Sequence, residues 1–528
     1  MSASREKKQR QTSSEEIKIT RAQEEQEQAD RRKRNTVIYS IIGAVAVVLI
    51  ALLLIWDTGV FQRNATVATI NDEKIDGSQV AFYYYSNSVM RNAQVYDQYG
   101  LVGYYPYTTT ASPKEQVIDQ DAIDMLGLDK KYLNQTYHQY FLDTAMAALR
   151  RESVLLDAAA EANYGLSDEL KAQVDDLIKD IDDTLDAYLT NYGADLTRTS
   201  YLQMVYGNSM TVSKYRTCLE NNLLADAFYV EYFDELADYS EDEMNSYYEE
   251  NKAAYNTVEY FFRFFDGQAS STEVDGKTVA PTDAEKKAAM EAAKQAAEKA
   301  ESEIKADPDS MEDSEDYDFS SGVPAQGTIY YEWLTDSSRK AGDTTIIESD
   351  VGYTLVYFVD SFRDDTLTVD VRHVLISAMP EDDKSTTDKD ESKNAPTDAD
   401  YAAAEKKAQE LLDEWKKGGA SVEEFAKLAE THSADAGSKS NGGLYEDVYP
   451  GRMIENFNDW IFDEGREVGD TGLVKNTESA TKGWHIIYYA GQGEYAHWQM
   501  LAREAMWVED VEAATTVELT DKIDSVAD

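Results

Sequence analysis

Long stretches with a helical period alternate along the chain with short apolar runs that are typical of strands. The first strong feature is an uncharged run of 21 residues at 36–56, TVIYSIIGAVAVVLIALLLIW. A helix of that length, at about 1.5 Å per residue, crosses the ~30 Å hydrocarbon layer of a bilayer. RRKR lies just before it at 31–34, which places the N-terminus in the cytoplasm. The pattern predicts a single-pass protein of the cell membrane with the bulk of its chain extracellular.

After this run, the apolar pattern changes from period two to period 3.6. VATINDEKIDGSQVAFYYYSNSVM, at 67–90, predicts a strand, a turn and a helix. Helical patterns then continue to about residue 250, and Ser240 with Glu243 forms a capping box before the last of them. Aromatic residues at helical spacing are dense here. They indicate a core, although an aromatic groove also binds unfolded chains.

The second half of the chain contains an internal repeat. The motif W-x-x-D-x-x-R-x-x-G-D-T begins at Trp333 and again at Trp460. The pentapeptide APTDA, at 280–284 and at 395–399, opens an Ala/Glu/Lys helix in each copy. Each copy also begins and ends with an apolar strand, so each predicts a small α+β domain.

The expected fold class is therefore α+β. The expected order is a cytoplasmic tail at 1–35, a transmembrane helix at 36–56, a largely helical domain at 65–255, a first repeat at 256–365, a second repeat at 366–493 and a C-terminal helical segment at 494–528. The repeats differ where chemistry could lie. The second has His373 in its first strand and His485 in its last, whereas the first has Phe262 and Thr354. This difference predicts that the first repeat is degenerate and the second catalytic.

Composition narrows the choice of partners. The net charge of −51 disfavours nucleic acid and anionic lipid headgroups as partners. Cys218 is the one cysteine, so the sequence offers no intrachain disulfide and no thiolate metal cluster. Stability must come from packing, for which 36 tyrosines and 15 phenylalanines are available.

Two histidines in neighbouring strands of one domain are the strongest candidates for chemistry. A metal site would need a third ligand, and Asp435 could serve, but the loop around it has no His or Cys cluster. A hydrolytic triad would need a nucleophile beside a base, and the serines of that loop lack the nucleophile-elbow pattern. We expect neither metal nor cofactor.

The segments HVLIS, SVEEFAKLAETHSADAGSKSNGG, PGRMIENFNDWIF, REVGDTGLV and GWHIIYY follow one another within 366–491. In this order they resemble parvulin-type peptidyl-prolyl cis-trans isomerases. The upstream VATINDEKIDGSQVAFYYY and SEDEMNSYYEENKAAY are similar to membrane-anchored or secreted foldases of the PrsA and SurA kind. The resemblance implies a helical chaperone domain like the N-terminal domain of SurA, joined to two tandem parvulin-like domains.

The resemblance also implies roles for individual residues. Matched by motif, the catalytic residues are His373, Asp435 and His485, and the substrate-binding residues are Leu444, Met453, Phe457 and Trp484. The sequence departs from the family's Gly-x-Leu-Gly turn, where it has Tyr445.

The implied function is a membrane-anchored, extracytoplasmic prolyl isomerase and chaperone. Its partners would be unfolded or proline-containing exported polypeptides and, through one helix, the membrane. The alternative is a non-catalytic holdase or scaffold that binds unfolded peptides through degenerate parvulin-like domains. The sequence does not fix the oligomeric state.

Overall fold

Strong capping residues make the first part of the described chain helical. The computed structural model describes residues 65–86, 107, 111–274, 277–311, 314–325, 328–379, 395–478 and 481–527. Its elements before residue 256 are β1 (Thr66–Ile70), β2 (Glu73–Asp76), α1 (77–86), α2 (Gln120–Leu126), α3 (Tyr137–Glu161), α4 (Asp168–Tyr192), α5 (Arg198–Tyr206), α6 (Val212–Leu236) and α7 (Glu241–Tyr255). Thr136 and Ser167 each accept a backbone N–H at the start of α3 and α4. Gly193 ends α4 at a left-handed φ of 66°, where a residue without Cβ fits best.

Tyrosine rings form much of the core between these helices. Tyr84 of α1 and Tyr137 of α3 are fully buried. Phe141 meets Tyr84 and Tyr107 edge to face, with ring centroids 5.7 and 5.2 Å apart. Such edge-to-face pairs add to the stability that burial of the rings provides.

The C-terminal segment returns to the N-terminal strands. β13 (Val517–Leu519) lies antiparallel to β1, and the sheet order is β13-β1-β2. The preceding helix, α13 (His497–Ala514), buries Trp507 in a core with Leu155 of α3 and Phe228 of α6. The last residues therefore complete the helical part of the fold.

The described residues form two compact units. One contains residues 250–324 and 330–501. The other contains the residues before 250, the segment 325–329 and the residues from 502 onward.

The unit that contains residues 330–501 is built around two four-stranded antiparallel sheets with the same strand arrangement. Their elements are β3 (Thr257–Asp266), β4 (Thr272–Val274), β5 (Lys277–Val279), α8 (Asp283–Ala306), β6 (Asp318–Gly322), α9 (Tyr331–Leu334), β7 (Thr344–Ser349), β8 (Gly352–Phe362), β9 (Leu367–Ser377), α10 (Asp398–Lys417), α11 (Val422–His432), β10 (Leu444–Val448), α12 (Glu455–Ile461), β11 (Thr471–Asn476) and β12 (Gly483–Ala496). The strand orders are β6-β3-β8-β7 and β10-β9-β12-β11. The first and last long strands of each repeat are thus neighbours in the middle of a sheet.

The repeated motifs serve the same local purpose in both copies. Thr282 and Thr397 of the APTDA segments cap α8 and α10, each with a complete capping box. The arginine of each longer motif lies over the indole of its tryptophan, 4.9 Å from the ring centroid in the first copy and 4.0 Å in the second. The glycine of each motif donates its N–H to the last long strand of its own repeat. The acceptor is the carbonyl of Phe358 in the first copy and the carbonyl of Tyr489 in the second.

Both faces of the second sheet are covered. On one face, Val374 and Ile486 pack with Phe425 and other side chains of α10 and α11. On the other, Ile487 packs with Phe457 of α12. Because side chains alternate between faces along a strand, His373 and His485 project to the face covered by α12.

The structure contradicts the expected membrane helix. In the described ranges, no helix is both long enough and apolar enough to cross a bilayer. The longest of them, α3, α4 and α6, have 25 residues each and carry charges along their lengths. The run at 36–56 lies outside the described residues. Over the described residues, the fold class is corrected to α+β without a transmembrane helix, and the expected single-pass cell-membrane localisation and membrane partnership are corrected on the same finding.

Candidate active site

Two imidazoles meet in the middle of the second sheet. His373 lies on β9 and His485 on the neighbouring β12, where His485 is opposite Leu375. This offset of two residues brings the two Nδ1 atoms to 2.9 Å. Both side chains are buried, with 4% and 7% of their surface exposed. At this separation one Nδ1 donates and the other accepts, so the tautomers of the two rings are coupled.

Asn476, at the end of β11, sets which histidine donates. Its Oδ1 accepts the N–H of Glu478 at 3.2 Å, and its Nδ2 donates to the carbonyl of Thr481 at 3.1 Å. These contacts orient the amide so that Nδ2 also donates to Nε2 of His485 at 3.1 Å. Nε2 of His485 is then an acceptor, and the Nδ1–H of His485 donates to Nδ1 of His373.

Asp435 accepts the last hydrogen bond of this chain. With Nδ1 accepting, His373 carries its proton on Nε2, which lies 3.0 Å from Oδ2 of Asp435. Ser438 donates its N–H and its hydroxyl to the same oxygen, at 3.1 and 2.5 Å. The phenol of Tyr445 donates to it as well, at 3.0 Å. One carboxylate oxygen therefore receives four donors.

The surroundings set the charge of each group. Burial raises the pKa of Asp435, but hydrogen bonds from His373, Ser438 and Tyr445 outweigh burial and hold that pKa well below its usual range. Burial lowers the pKa of His485 to about 3, and the neighbouring His373 acts in the same direction. Burial also raises the pKa of the Tyr445 phenol to about 12, with the Asp435 charge adding to the effect. At neutral pH the site contains an ionised carboxylate, a neutral His485 and a protonated phenol.

An aromatic ring lies against both histidines. Phe457 of α12 meets His373 and His485 edge to face, with centroids 5.6 and 5.1 Å apart and interplanar angles of 83° and 90°. Met453 packs, partly buried, against the same core as Phe457. Of the expected substrate-binding residues, Phe457 contacts both histidines, and Met453 packs against the core that contains Phe457.

The other two expected substrate-binding residues lie on the opposite face of the sheet. Leu444 is opposite Arg372 in the sheet, so the two side chains share the face away from His373. Trp484 packs against the core beneath α10, where its Nε1 donates to the carbonyl of Tyr401 at 3.1 Å. In both cases the period-two alternation of the strand directs the side chain away from the histidines.

Glycines let the loop before β10 approach the histidine strand. Gly442 and Gly443 have left-handed φ values of 71° and 75°. A Cβ on Gly443 would lie 2.2 Å from the carbonyl oxygen of His373. The buried guanidinium of Arg372 donates to the carbonyls of Asn441 and Gly442, at 3.0 and 2.9 Å. The loop that carries Ser438 is thus fixed to β9 by its backbone.

Sequence reasoning missed four residues of this arrangement: Arg372, Ser438, Tyr445 and Asn476. The signal for Arg372 was a charged residue directly before His373, with Val371 and Val374 on either side of the pair. Asn476 is a buried amide at a strand end, and its sequence neighbourhood gives no hint of its contact with His485. Tyr445 was visible as a departure from the family turn, but its side-chain direction depends on the register of β10.

The first repeat has the same strand framework without the two histidines. Phe262 is opposite Val356 on β8, and Thr354 lies two residues before Val356, as His485 lies two residues before Ile487 on β12. Tyr330, three residues before Trp333, corresponds to Phe457, three residues before Trp460. The rings of Phe262 and Tyr330 are 6.0 Å apart.

Three comparisons with known proteins bear on this site. Residues 353–492 match the family model described as the PPIC-type PPIASE domain. A crystal structure of the peptidylprolyl isomerase PrsA from Bacillus anthracis matches at 18% identity, covering 31% of this chain and 57% of that chain, with a TM-score of 0.17. A TM-score this low does not establish a shared arrangement of the two chains. No curated protein sequence matches the chain significantly.

The family match covers all of β9 to β11, most of β12, and every residue of the histidine cluster. In the part of the chain that the structure describes, no group of three or more His, Cys, Asp or Glu side chains is arranged to hold a metal ion. Parvulins catalyse rotation about prolyl bonds, and the expected resemblance to them is confirmed by this match. Residues 353–492 match the PPIC-type domain, which is the domain of parvulin-type peptidyl-prolyl cis-trans isomerases.

Proposed function

We propose that this protein isomerises prolyl bonds in unfolded, proline-containing polypeptides, with His373, His485 and Asp435 as catalytic residues. The supporting observation is an ordered chain of hydrogen bonds beside a perpendicular aromatic ring. The chain runs from Asn476 through both imidazoles to Asp435, and Phe457 contacts both imidazoles.

The barrier to be lowered is that of a partly double C–N bond, about 18–20 kcal/mol. Rotation needs no covalent intermediate. The planar amide is the more polar form, so an apolar surface disfavours it relative to the twisted form. Phe457 and Met453 would provide that surface for the proline ring.

The hydrogen-bonding groups of His373, His485 and Asp435 would surround the twisted peptide bond. Each imidazole donates toward the carboxylate, so the dipoles of the hydrogen-bonded chain align from Asn476 to Asp435. Such a prearranged set of dipoles can match the charge distribution on the twisted carbonyl and nitrogen without reorganising during the reaction. Asp435 would act through its fixed negative charge, because a carboxylate with so low a pKa is a weak base.

We propose further that the helical part, residues 65–255, holds unfolded segments while the isomerase domain at 366–493 acts. Large apolar side chains are exposed on its helices, among them Leu189, Tyr192 and Val230. Exposed aromatic and aliphatic side chains bind unfolded chains without strict sequence preference. We assign the degenerate repeat to 256–365 and the C-terminal segment to 494–528.

A second candidate is a holdase whose repeats bind peptide without catalysis. One observation favours it for the first repeat, where Phe262 and Thr354 replace the two histidines around a retained aromatic ring, Tyr330. Aromatic grooves bind proline-rich segments without any acid or base.

Exchange spectroscopy by NMR tests the proposal. The full-length protein is added to a peptide that contains one prolyl bond, and the cis-to-trans exchange rate is measured. We expect a clear rate gain, lost in His373→Ala and retained in the control His432→Ala, which changes an exposed histidine at the end of α11. A parent protein that suppresses client aggregation but gives no rate gain would support the holdase instead.

A further inference from the structure

Tyr445 touches the catalytic cluster from an edge strand. It is opposite Val371 in the pairing of β10 with β9, which places its side chain on the face of the histidines. Its ring centroid lies 5.3 Å from that of His373. Its hydroxyl lies 3.0 Å from Oδ2 of Asp435. One side chain therefore contacts both an imidazole and the carboxylate.

The surrounding residues make room for this phenol and hold it. A Cβ on Gly437 would lie 3.0 Å from the Tyr445 hydroxyl, closer than most Cβ contacts. The guanidinium of Arg452 lies 5.9 Å from the centroid of the ring. Arg452 is itself fixed by donating to the carbonyls of Glu446 and Asp447, at 3.1 and 3.2 Å. The hydroxyl of Tyr445 thus lies close to a glycine, and a cation held by two backbone carbonyls lies near its ring.

We propose that Tyr445 is a positioning residue for the isomerase reaction, whose phenol O–H holds the carboxylate of Asp435 in place beside the histidine pair. This inference rests on the proposed function of His373, His485 and Asp435. Tyr445 acts through Asp435 and need not touch the peptide.

The contact has a consequence for proton affinity. Oδ2 of Asp435 receives hydrogen bonds from His373, Ser438 and Tyr445. Among nearby charged or titratable groups, His485 interacts electrostatically with Asp435, and Arg452 with Tyr445. Each donor spreads the negative charge of the carboxylate and makes it less basic. Removing the phenol leaves the His373–His485–Asp435 cluster with more unshared negative charge. The cluster then takes up its first proton at a higher pH, whichever atom receives it.

Tyr445→Phe tests this, because it removes the hydroxyl and keeps the ring. Tyr449→Phe is the matched control: it removes a phenol from the same segment, at a ring that stacks on His497 with centroids 3.6 Å apart. Both variants are made in the full-length protein, and histidine ring signals are followed by NMR from pH 8 to pH 2.

We expect the first protonation of the cluster to move up by roughly one pH unit in Tyr445→Phe and to stay unchanged in Tyr449→Phe. We expect kcat to fall roughly tenfold, with KM within about twofold of the parent value, because the binding surface is retained. Gly437→Ala, which pushes the phenol away from Asp435, should move both readouts in the same direction.

An unchanged histidine titration in both Tyr445→Phe and Gly437→Ala would overturn the inference. So would a change confined to KM, which would mean that the phenol only binds peptide. The titration does not depend on turnover. A parent protein without isomerase activity would overturn the proposed function, and the positioning role with it, even if the titration shifts.

Discussion

Nδ1 of His485 donates to Nδ1 of His373 across 2.9 Å, because Asn476 holds the far nitrogen of His485 as an acceptor. The direction of this hydrogen bond fixes the tautomers of both rings. It also directs the remaining proton of His373 to Asp435. The site is therefore a chain of aligned hydrogen bonds that ends at one carboxylate.

Replacing Asn476 should allow both tautomers of His485 to be populated. Asn476→Ala removes the donor to Nε2 of His485, so we expect mixed tautomers at His485 in ring ¹⁵N shifts. The loss of one buried hydrogen bond of about 1–1.5 kcal/mol predicts a fall in kcat/KM of roughly tenfold. The exposed Asn456→Ala serves as control and should leave both readouts unchanged. A single unshifted tautomer in Asn476→Ala would contradict the assigned direction.

Replacing the aromatic ring of Phe457 should lower the catalytic rate more than it lowers the stability of the fold. Phe457→Leu keeps an apolar side chain but removes the edge-to-face contacts with both imidazoles, each worth about 0.5–1.5 kcal/mol. We expect kcat/KM to drop roughly tenfold. Phe462→Leu is the control, because it changes a partly buried ring that packs against the same core. If both variants lose activity equally, general loosening of the core explains the effect and Phe457 has no special role.

The loop that carries Ser438 should tolerate no side chain at Gly443. Gly443→Ala places a Cβ 2.2 Å from a backbone oxygen and at a positive φ, so the loop must shift from β9. We expect a loss in unfolding free energy of about 2–4 kcal/mol and a lower Tm. Gly491→Ala is the control, since nothing lies within 4 Å of its Cβ position. Equal thermal stability of the two variants would refute the close approach.

A buried carboxyl in the helical part should make stability depend on pH. Glu152 accepts the phenol hydrogen of Tyr83 at 2.5 Å, and burial raises the pKa of Glu152 to about 7. The folded state then binds more protons than the unfolded state between pH 4.5, the usual pKa, and pH 7. Stability should therefore fall by up to about 3 kcal/mol as pH rises through this window, and stay level above it.

Urea unfolding of Glu152→Gln across the same pH range measures this contribution. The variant should lose that part of the pH dependence, whereas Glu161→Gln, which changes an exposed residue of the same helix, should keep it. Parallel pH profiles for parent and Glu152→Gln would contradict a buried, protonated Glu152.

Much of the isomerase domain could be read from the sequence because its signals are local. The tandem motif predicted two units of like construction, and the two sheets do share one strand arrangement. His373, His485 and Asp435 were found by motif, since the histidines lie in strands that an α+β unit pairs directly. The transmembrane helix was inferred from apolarity alone, and the described helices do not support it.

What the sequence could not supply depends on register and on distant contacts. A shift of one residue on an edge strand decides whether Leu444 or Tyr445 faces the histidines. The amide of Asn476 acts through the orientation of its own turn, which no local pattern reveals. β13 pairs with β1, some 450 residues earlier in the chain, and a helical reading of the C-terminal segment did not predict that strand.

The most direct measurement uses a variant in which the two histidines of the second repeat are replaced by the corresponding residues of the first repeat. His373→Phe with His485→Thr gives the full-length protein the residues that the first repeat carries at Phe262 and Thr354. Prolyl exchange in a peptide is then measured by NMR for parent and double variant, with circular dichroism to verify folding. The account predicts a strong rate gain in the parent and the uncatalysed rate in the folded variant. Equal catalysis by both proteins, or none by the parent, would contradict it.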